Sequence, residues 1–161
     1  MITLIDASTL INLLNGGRVT TVLRSRRRSF RIGPIVLSES GPQRSDIDRL
    51  ISGGLVTLAD DDDIPASSYL ALLSKHRLGP GETECLCAAI ANGWSVGCDD
   101  RRARRVLIAE IGSLLVSGSI GLLRESVEAG DLTATEAFAA VEQARSMGGF
   151  LPGVGEAFFR E

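Results

Sequence analysis

Short apolar runs alternate along the chain with longer segments whose apolar residues recur at helical spacing. Ile2 to Ile5 is a β-type run, and Leu10, Ile11, Leu13 and Leu14 then mark a helix that exits at Asn15-Gly16-Gly17, with Ser8 as its expected N-cap. Val19 to Arg28 reads as a short second helix resting on Val19, Val22 and Leu23, its arginines facing out. Phe30 to Ile32 reads as a strand broken by Gly33-Pro34, and Pro34 suits a first helical turn. Asp46 to Ser52 is helical, Leu55 to Leu58 is a strand, and Ser68 to Leu78 is a helix leading to Gly79-Pro80-Gly81. A buried helix of small and apolar residues follows from Cys85 to Ala91 and stops at Asn92-Gly93. Trp94 to Cys98 is a buried strand, and Ala103, Val106, Leu107 and Ile111 define a helix that Gly112 ends. Leu114 to Val116 is the last predicted strand, with helices over Leu122 to Ala129 and Thr133 to Met147, the latter opened by a Thr133/Glu136 capping box. The tail from Phe150 to Glu161 carries Phe150, Leu151, Phe158 and Phe159, expected to pack on the core or on a second subunit. Strands alternating with helices from end to end predict an α/β domain with a mostly parallel central sheet.

Acids stand directly after several of these strands, at the edge where parallel α/β sheets bind ligands. Asp6 follows the first strand, and Asp99-Asp100 follows Trp94 to Cys98. Asp100 also suits an N-cap, which makes Asp99 the sharper of the pair. On the intervening helix, at about 100° per residue, Glu84 shares a face with Cys87, Ala88 and Ala91, whereas Glu82 shares one with Leu86, Ala89 and Ile90. Small residues bring that helix close to its neighbour and carry Glu84 inward, where a carboxylate needs a proton, a partner or a metal. Glu82 reads as a helix-start acid favoured by the N-terminal dipole. Glu39, by its local context, reads as a surface acid, and Asp60 to Asp63 as a solvated loop, since like charges in a block repel.

Length and composition narrow the picture. At 161 residues and 44% hydrophobic, with no linker or low-complexity segment, residues 1–161 form a single domain. No run approaches a membrane span and no signal-peptide layout opens the chain, so a cytoplasmic location with no membrane partner is expected. Cys85, Cys87 and Cys98 fall in apolar elements as reduced thiols, and with a single histidine, His76, zinc sites and hydrolase triads are hard to build. The net charge of -3 speaks against a polyanion partner, but the charge is segregated: Arg24, Arg26, Arg27, Arg28 and Arg31 form one basic cluster and Arg101, Arg102, Arg104 and Arg105 another. Arginine forks suit phosphate oxygens.

Carboxylates gathered at one edge repel unless a cation lies among them, and hard oxygen ligands select Mg²⁺ or Mn²⁺. Such an ion polarises a phosphoryl oxygen and activates water, which with flanking arginines outlines a metal-dependent nuclease. The chain also resembles PIN-domain proteins of the VapC-like toxin or nucleic-acid-binding sort. The likeness lies in Ile5-Asp6-Ala7-Ser8, Pro34-x-Val36-x-x-Glu39, Gly79-x-Gly81-Glu82-x-Glu84, Cys98-Asp99-Asp100-x-x-Ala103-Arg104 and Gly118-Ser119-Ile120-Gly121-Leu122-Leu123, in order over nearly the whole chain. The resemblance implies a three-layer α/β/α sandwich. It implies that Asp6, Glu39, Glu84 and one or both of Asp99 and Asp100 are catalytic, with Asp6, Glu84, Asp99 and Asp100 on one or two Mg²⁺ or Mn²⁺ ions that direct water at an RNA phosphodiester. Ser8, Ser119, Arg101 and Arg104 are then the expected substrate contacts, and a homodimer and an antitoxin the expected partners. Family members often carry threonine where Cys98 and Ser119 stand. The rival expectation is a non-catalytic nucleic-acid-binding or regulatory module of the same fold; a third is a metal-dependent phosphatase for a small phosphoester, for which the chain carries no convincing DxD nucleophile motif.

Overall fold

A computed structural model describes residues 1–160; Glu161, the last residue of the predicted tail, lies outside the described residues. Five strands, β1 (Ile2–Ile5), β2 (Ser29–Ile32), β3 (Thr57–Leu58), β4 (Ser95–Gly97) and β5 (Val116–Ser117), make one sheet in the order β3-β2-β1-β4-β5. Every neighbouring pair is parallel. The chain steps outward from β1 through β2 to β3 and then returns to β4 on the other side of β1. The order therefore reverses between β1 and β4, the crevice where open α/β sheets hold ligands.

Helices α1 (Ala7–Asn15), α2 (Val19–Leu23), α3 (Pro34–Glu39), α4 (Arg44–Ser52), α5 (Ala66–His76), α6 (Pro80–Asn92), α7 (Arg101–Ile111), α8 (Ser119–Glu128) and α9 (Ala134–Ser146) cover the sheet. α1, α2, α8 and α9 contact one another on one side, while α5, α7 and α3 lean on α6 on the other. The result is the expected three-layer α/β/α sandwich with a parallel sheet. Covered on both faces, β1 and β4 need apolar runs rather than alternation, and Leu4, Ile5 and Val96 are fully buried. Cys85 to Ala89 of α6 are buried on every side, because the small residues let the helix lie close to β1 and β4. α5 covers α6 from outside and has no buried residue.

Several boundaries differ from the sequence pattern. α2 ends at Leu23, and Ser25 accepts from the Arg27 amide at 3.2 Å in a turn that starts the approach to β2. The arginines that follow therefore lie in a loop at the amino ends of the strands, away from Asp6. Arg28 does not face out: its side chain is 7% exposed, forks onto Glu125 with Nε donating to Oε2 at 2.6 Å, and donates to Thr3 and Ser95. Asp6, not Ser8, is the N-cap of α1. Ser113–Leu115 is a 3-10 turn that leaves Leu114 95% exposed, so the last strand is only Val116–Ser117, and β3 shrinks to Thr57–Leu58 because the turn closed by Leu55 on Leu50 precedes it. In the tail Leu151 and Phe159 are buried and Phe158 packs edge-on against Phe159, whereas Phe150 is 99% exposed.

Because Arg28 is an internal fork, Arg28→Ala is expected to cost about 2–3 kcal/mol of stability by leaving Glu125 unpaired. A urea melt measures this, and an unchanged midpoint with weakened RNA binding would return Arg28 to the surface cluster.

Candidate active site

The site is assembled where β1 and β4 end. The Asp6 amide donates to the Gly97 carbonyl at 2.8 Å, which fixes the two strand ends against each other. The Asp6 carboxylate is only 5% exposed and accepts from the Ser8 hydroxyl at 2.6 Å and the Ser8 amide at 3.4 Å. Burial pushes its pKa above the usual carboxylate range, and the Ser8 hydrogen bonds oppose that shift. The Ser8 oxygen in turn accepts from the Asp99 amide at 3.1 Å, so one hydroxyl joins both strand ends.

The adjacent aspartates separate in role. Asp99 turns toward α1 and α8, accepting from Asn12 Nδ2 at 2.9 Å and from the Ser119 amide at 2.9 Å. A Cβ at Gly118 would overlap its carboxylate, so this approach needs glycine there. Asp100 caps α7, accepting from the Arg102 and Ala103 amides at 2.8 and 2.7 Å. Arg104 donates to the Cys98 carbonyl at 2.8 Å and braces this turn, while Arg101 is exposed at the start of α7. The Cys98 thiol lies 3.7 Å from Asp6 Oδ2, and burial, then the Asp6 charge, push its pKa well up. It stays protonated and donates toward Asp6. Ser119 Oγ is buried without a hydrogen-bond partner among the described residues.

The two glutamates of Glu82-x-Glu84 serve different neighbours. Glu84 is inside as its face predicted, 1% exposed, but its two oxygens accept from the Ile35 and Val36 amides, both at 3.0 Å. It caps α3 from another helix. Its pKa is raised by burial, opposed by those amides, and raised further by Glu39. Glu39 is exposed at the far end of α3, its carboxylate lying over Gly81 where a Cβ would collide with it. Glu82 accepts from the Gly79 amide at 2.9 Å, as a helix-start acid should, and is half-buried. Its pKa is raised by burial and then by the negative charges of Asp100 and Asp6. Glu82 is thus the α6 acid on which the charges of the strand-end aspartates act, and Asn12 is the amide that holds Asp99. Neither stood out as a site residue in the sequence. The available signal was the placement of Ser8 and Asn12 four residues apart on the helix that Asp6 starts.

Each inner acid meets a helix N-terminus: Asp6 at α1, Glu84 at α3, Asp100 at α7 and Asp99 at α8. Those positive helix ends offset the mutual repulsion of the carboxylates. The same duties hold the side chains apart, and no group of three His, Cys, Asp or Glu among the described residues is placed to hold a metal ion. In chemistry the donor set still suits a hard divalent cation, being carboxylate oxygen throughout.

The raised carboxyls have a consequence for stability. Asp6, Glu82 and Glu84 keep protons in the folded chain at pH values where the unfolded chain has released them. Their contribution is therefore full below the ordinary carboxylate pKa and is lost as pH rises through the raised values. In chelator, the melting temperature is expected to be higher near pH 5 than near pH 8, with a flatter profile in Asp6→Asn. An identical slope in parent and variant would contradict the linkage.

A doubly wound parallel sheet with carboxylates at its switch point defines an α/β protein with an acidic site at the carboxyl edge of its sheet. The model of a family described as a PIN domain matches residues 2–149, and the chain belongs to that family. PIN domains are generally nucleases, so the function is of nuclease type. The searches of curated proteins and of solved structures each return no match. No helix among the described residues is long and apolar enough to cross a membrane.

Proposed function

We propose that the chain is an endoribonuclease that hydrolyses RNA phosphodiester bonds with Mg²⁺ or Mn²⁺. The observation that carries this reading is Asp6, a desolvated carboxylate at the β1/β4 crevice whose charge, with that of Asp100, bears on Glu82. The charges of Asp100 and Asp6 both raise the Glu82 pKa, and a cation among the three acids relieves that repulsion. Asp6, Glu82 and Asp100 would hold the ion, with Asp99 beside them. Glu39 completes the acidic rim. Glu84 and Arg104 are positioning residues, the first for α3 and the second for the turn after β4. When bound, the ion supplies a polarised phosphoryl oxygen and an acidified water. Ser8 orients Asp6, the Ser119 amide holds Asp99, and Arg101, exposed at the start of α7, neutralises a flanking phosphate. To close on an ion beside Asp6, Asp100 would release its cap on the Arg102 and Ala103 amides and Glu82 its bond from the Gly79 amide, at about 1 kcal/mol for a lost cap, a cost that ion binding would have to offset.

The direct test is cleavage of structured RNA with and without chelator. Metal-dependent cleavage supports the reading, and cleavage that persists in chelator rejects its mechanism. The engagement of every inner acid by a helix end supports a second reading, a non-catalytic nucleic-acid-binding module. Calorimetric titration with Mn²⁺ separates the two, since absence of binding at millimolar metal favours the inert module. The nuclease reading extends to a homodimeric toxin restrained by an antitoxin; growth arrest on expression, relieved by a co-expressed neighbouring protein, is the expected result.

A further inference from the structure

A cleft of about 650 Å³ opens at the same edge of the sheet, beyond β2 and β3. Its walls are the start of α3 at Ile35, the turn after β3 with Asp61, Asp62 and Ile64, and Tyr69 on α5, and Glu84 of α6 also lines it. The volume is that of a small-molecule pocket. The nuclease chemistry leaves it unused, yet it adjoins the acids: Glu84 and Glu39 both act on the Tyr69 hydroxyl, whose pKa is raised first by burial and then by those two charges.

The lining selects among the parts of a nucleic acid. Asp63 is occupied by Arg31 at 2.8 Å and by the Asp60 amide at 3.0 Å, whereas the Asp61 and Asp62 side chains have no ion-pair or hydrogen-bond partner among the described residues. Unpaired carboxylates repel a phosphate. The aromatic and aliphatic wall formed by Tyr69, Ile35 and Ile64 instead suits a flat ring, and unstacked bases in RNA are bound by stacking on aromatic side chains with hydrogen bonds to their edges. Apart from the Tyr69 hydroxyl, the polar side chains on offer are carboxyls, and the ionised Asp61 and Asp62 accept only. Adenine and cytosine present an amino donor next to a ring-nitrogen acceptor, and uracil presents one donor between two acceptors. Guanine alone presents two adjacent donors, N1–H and the 2-amino group, matching a carboxylate.

We propose that this cleft is a base-recognition subsite that takes an unstacked guanine of the RNA, with Tyr69 against the ring and Asp61 or Asp62 accepting from N1–H and the 2-amino group. It rests on the nuclease reading for its substrate and sets the sequence preference of that reaction. α5 has no buried residue, so substitutions at its surface and in the preceding turn test recognition without opening the core.

The experiment uses single-stranded RNAs that differ at one position, carrying guanine, adenine, cytosine, uracil or inosine, which lacks the 2-amino group. Cleavage beside guanine is expected to exceed cleavage beside adenine by roughly tenfold, the scale of discrimination that a good paired contact to a base edge provides. Inosine should fall between them. In Tyr69→Ala and in the double variant Asp61→Asn/Asp62→Asn the guanine-to-adenine ratio should fall toward one. Fluorescence anisotropy with the same labelled RNAs in chelator gives a reading independent of cleavage. If no RNA is cut but binding favours guanine and loses that preference in the variants, the nuclease reading fails and the subsite stands. Equal binding and cleavage for all bases, or a guanine preference unchanged in both variants, would overturn the subsite.

Discussion

Asp6→Asn protein is expected to fold as the parent does and to cut RNA slower by on the order of 10²–10³-fold. The two halves of that expectation come from different atoms of the same residue. Asparagine is as good an N-cap as aspartate, and the Ser8 amide and hydroxyl still find an acceptor, so α1 starts where it did. Replacing a desolvated carboxyl by a neutral amide of the same shape also removes the burial penalty on its charge, and any stability change should stay within about 1 kcal/mol. What is lost is the fixed negative charge at the crevice between β1 and β4. A metal ligand removed in this way weakens the ion and its polarisation of the phosphate, an effect of several kcal/mol, and each 1.36 kcal/mol is a factor of ten in rate. Single-turnover cleavage at saturating Mn²⁺ measures it. Near-normal turnover with intact folding would remove Asp6 from the chemistry.

Asp6 was legible because an apolar run followed by an acid is enough to put a carboxylate at the carboxyl edge of a parallel sheet. The layer architecture was legible for the same kind of reason: nearly every strand and helix announced its period, and helix ends such as Thr133 and Asp100 carried their caps in plain residue types. Three things were not. The extent of β5 depended on a positive-φ turn at Gly112 that makes Ser113–Leu115 a 3-10 turn, which hydropathy does not encode. The fate of Arg28 depended on Glu125, almost a hundred positions away, so a run of arginines concealed one structural fork. The division of labour between Glu82 and Glu84 depended on what each helix face meets. Helical spacing found the buried one, but burial alone does not distinguish an acid held by amides from an acid held by other acids.

Glu84 is where that distinction can be measured. Glu84→Ala is expected to lose about 3–4 kcal/mol: the cap on two α3 amides is worth about 1–2, and the space left by a side chain that is 1% exposed adds about 2. For a domain of 161 residues that lowers the melting temperature by roughly 10 °C. Glu84→Gln keeps the volume and one acceptor but turns an NH₂ toward the second amide, so it should cost about 1–2 kcal/mol. The two variants then separate the roles. If Glu84 acts by holding α3, and with it Glu39, against α6, the glutamine variant retains most of its cleavage below its own melting transition, and its Mn²⁺ affinity stays near that of the parent. If Glu84 is a metal ligand, as the family resemblance implies, the glutamine variant loses activity and metal affinity as Asp6→Asn does while remaining folded. The carboxylate's two 3.0 Å bonds to the Ile35 and Val36 amides favour the first outcome, because an oxygen turned to a metal would have to release an α3 amide inside the core.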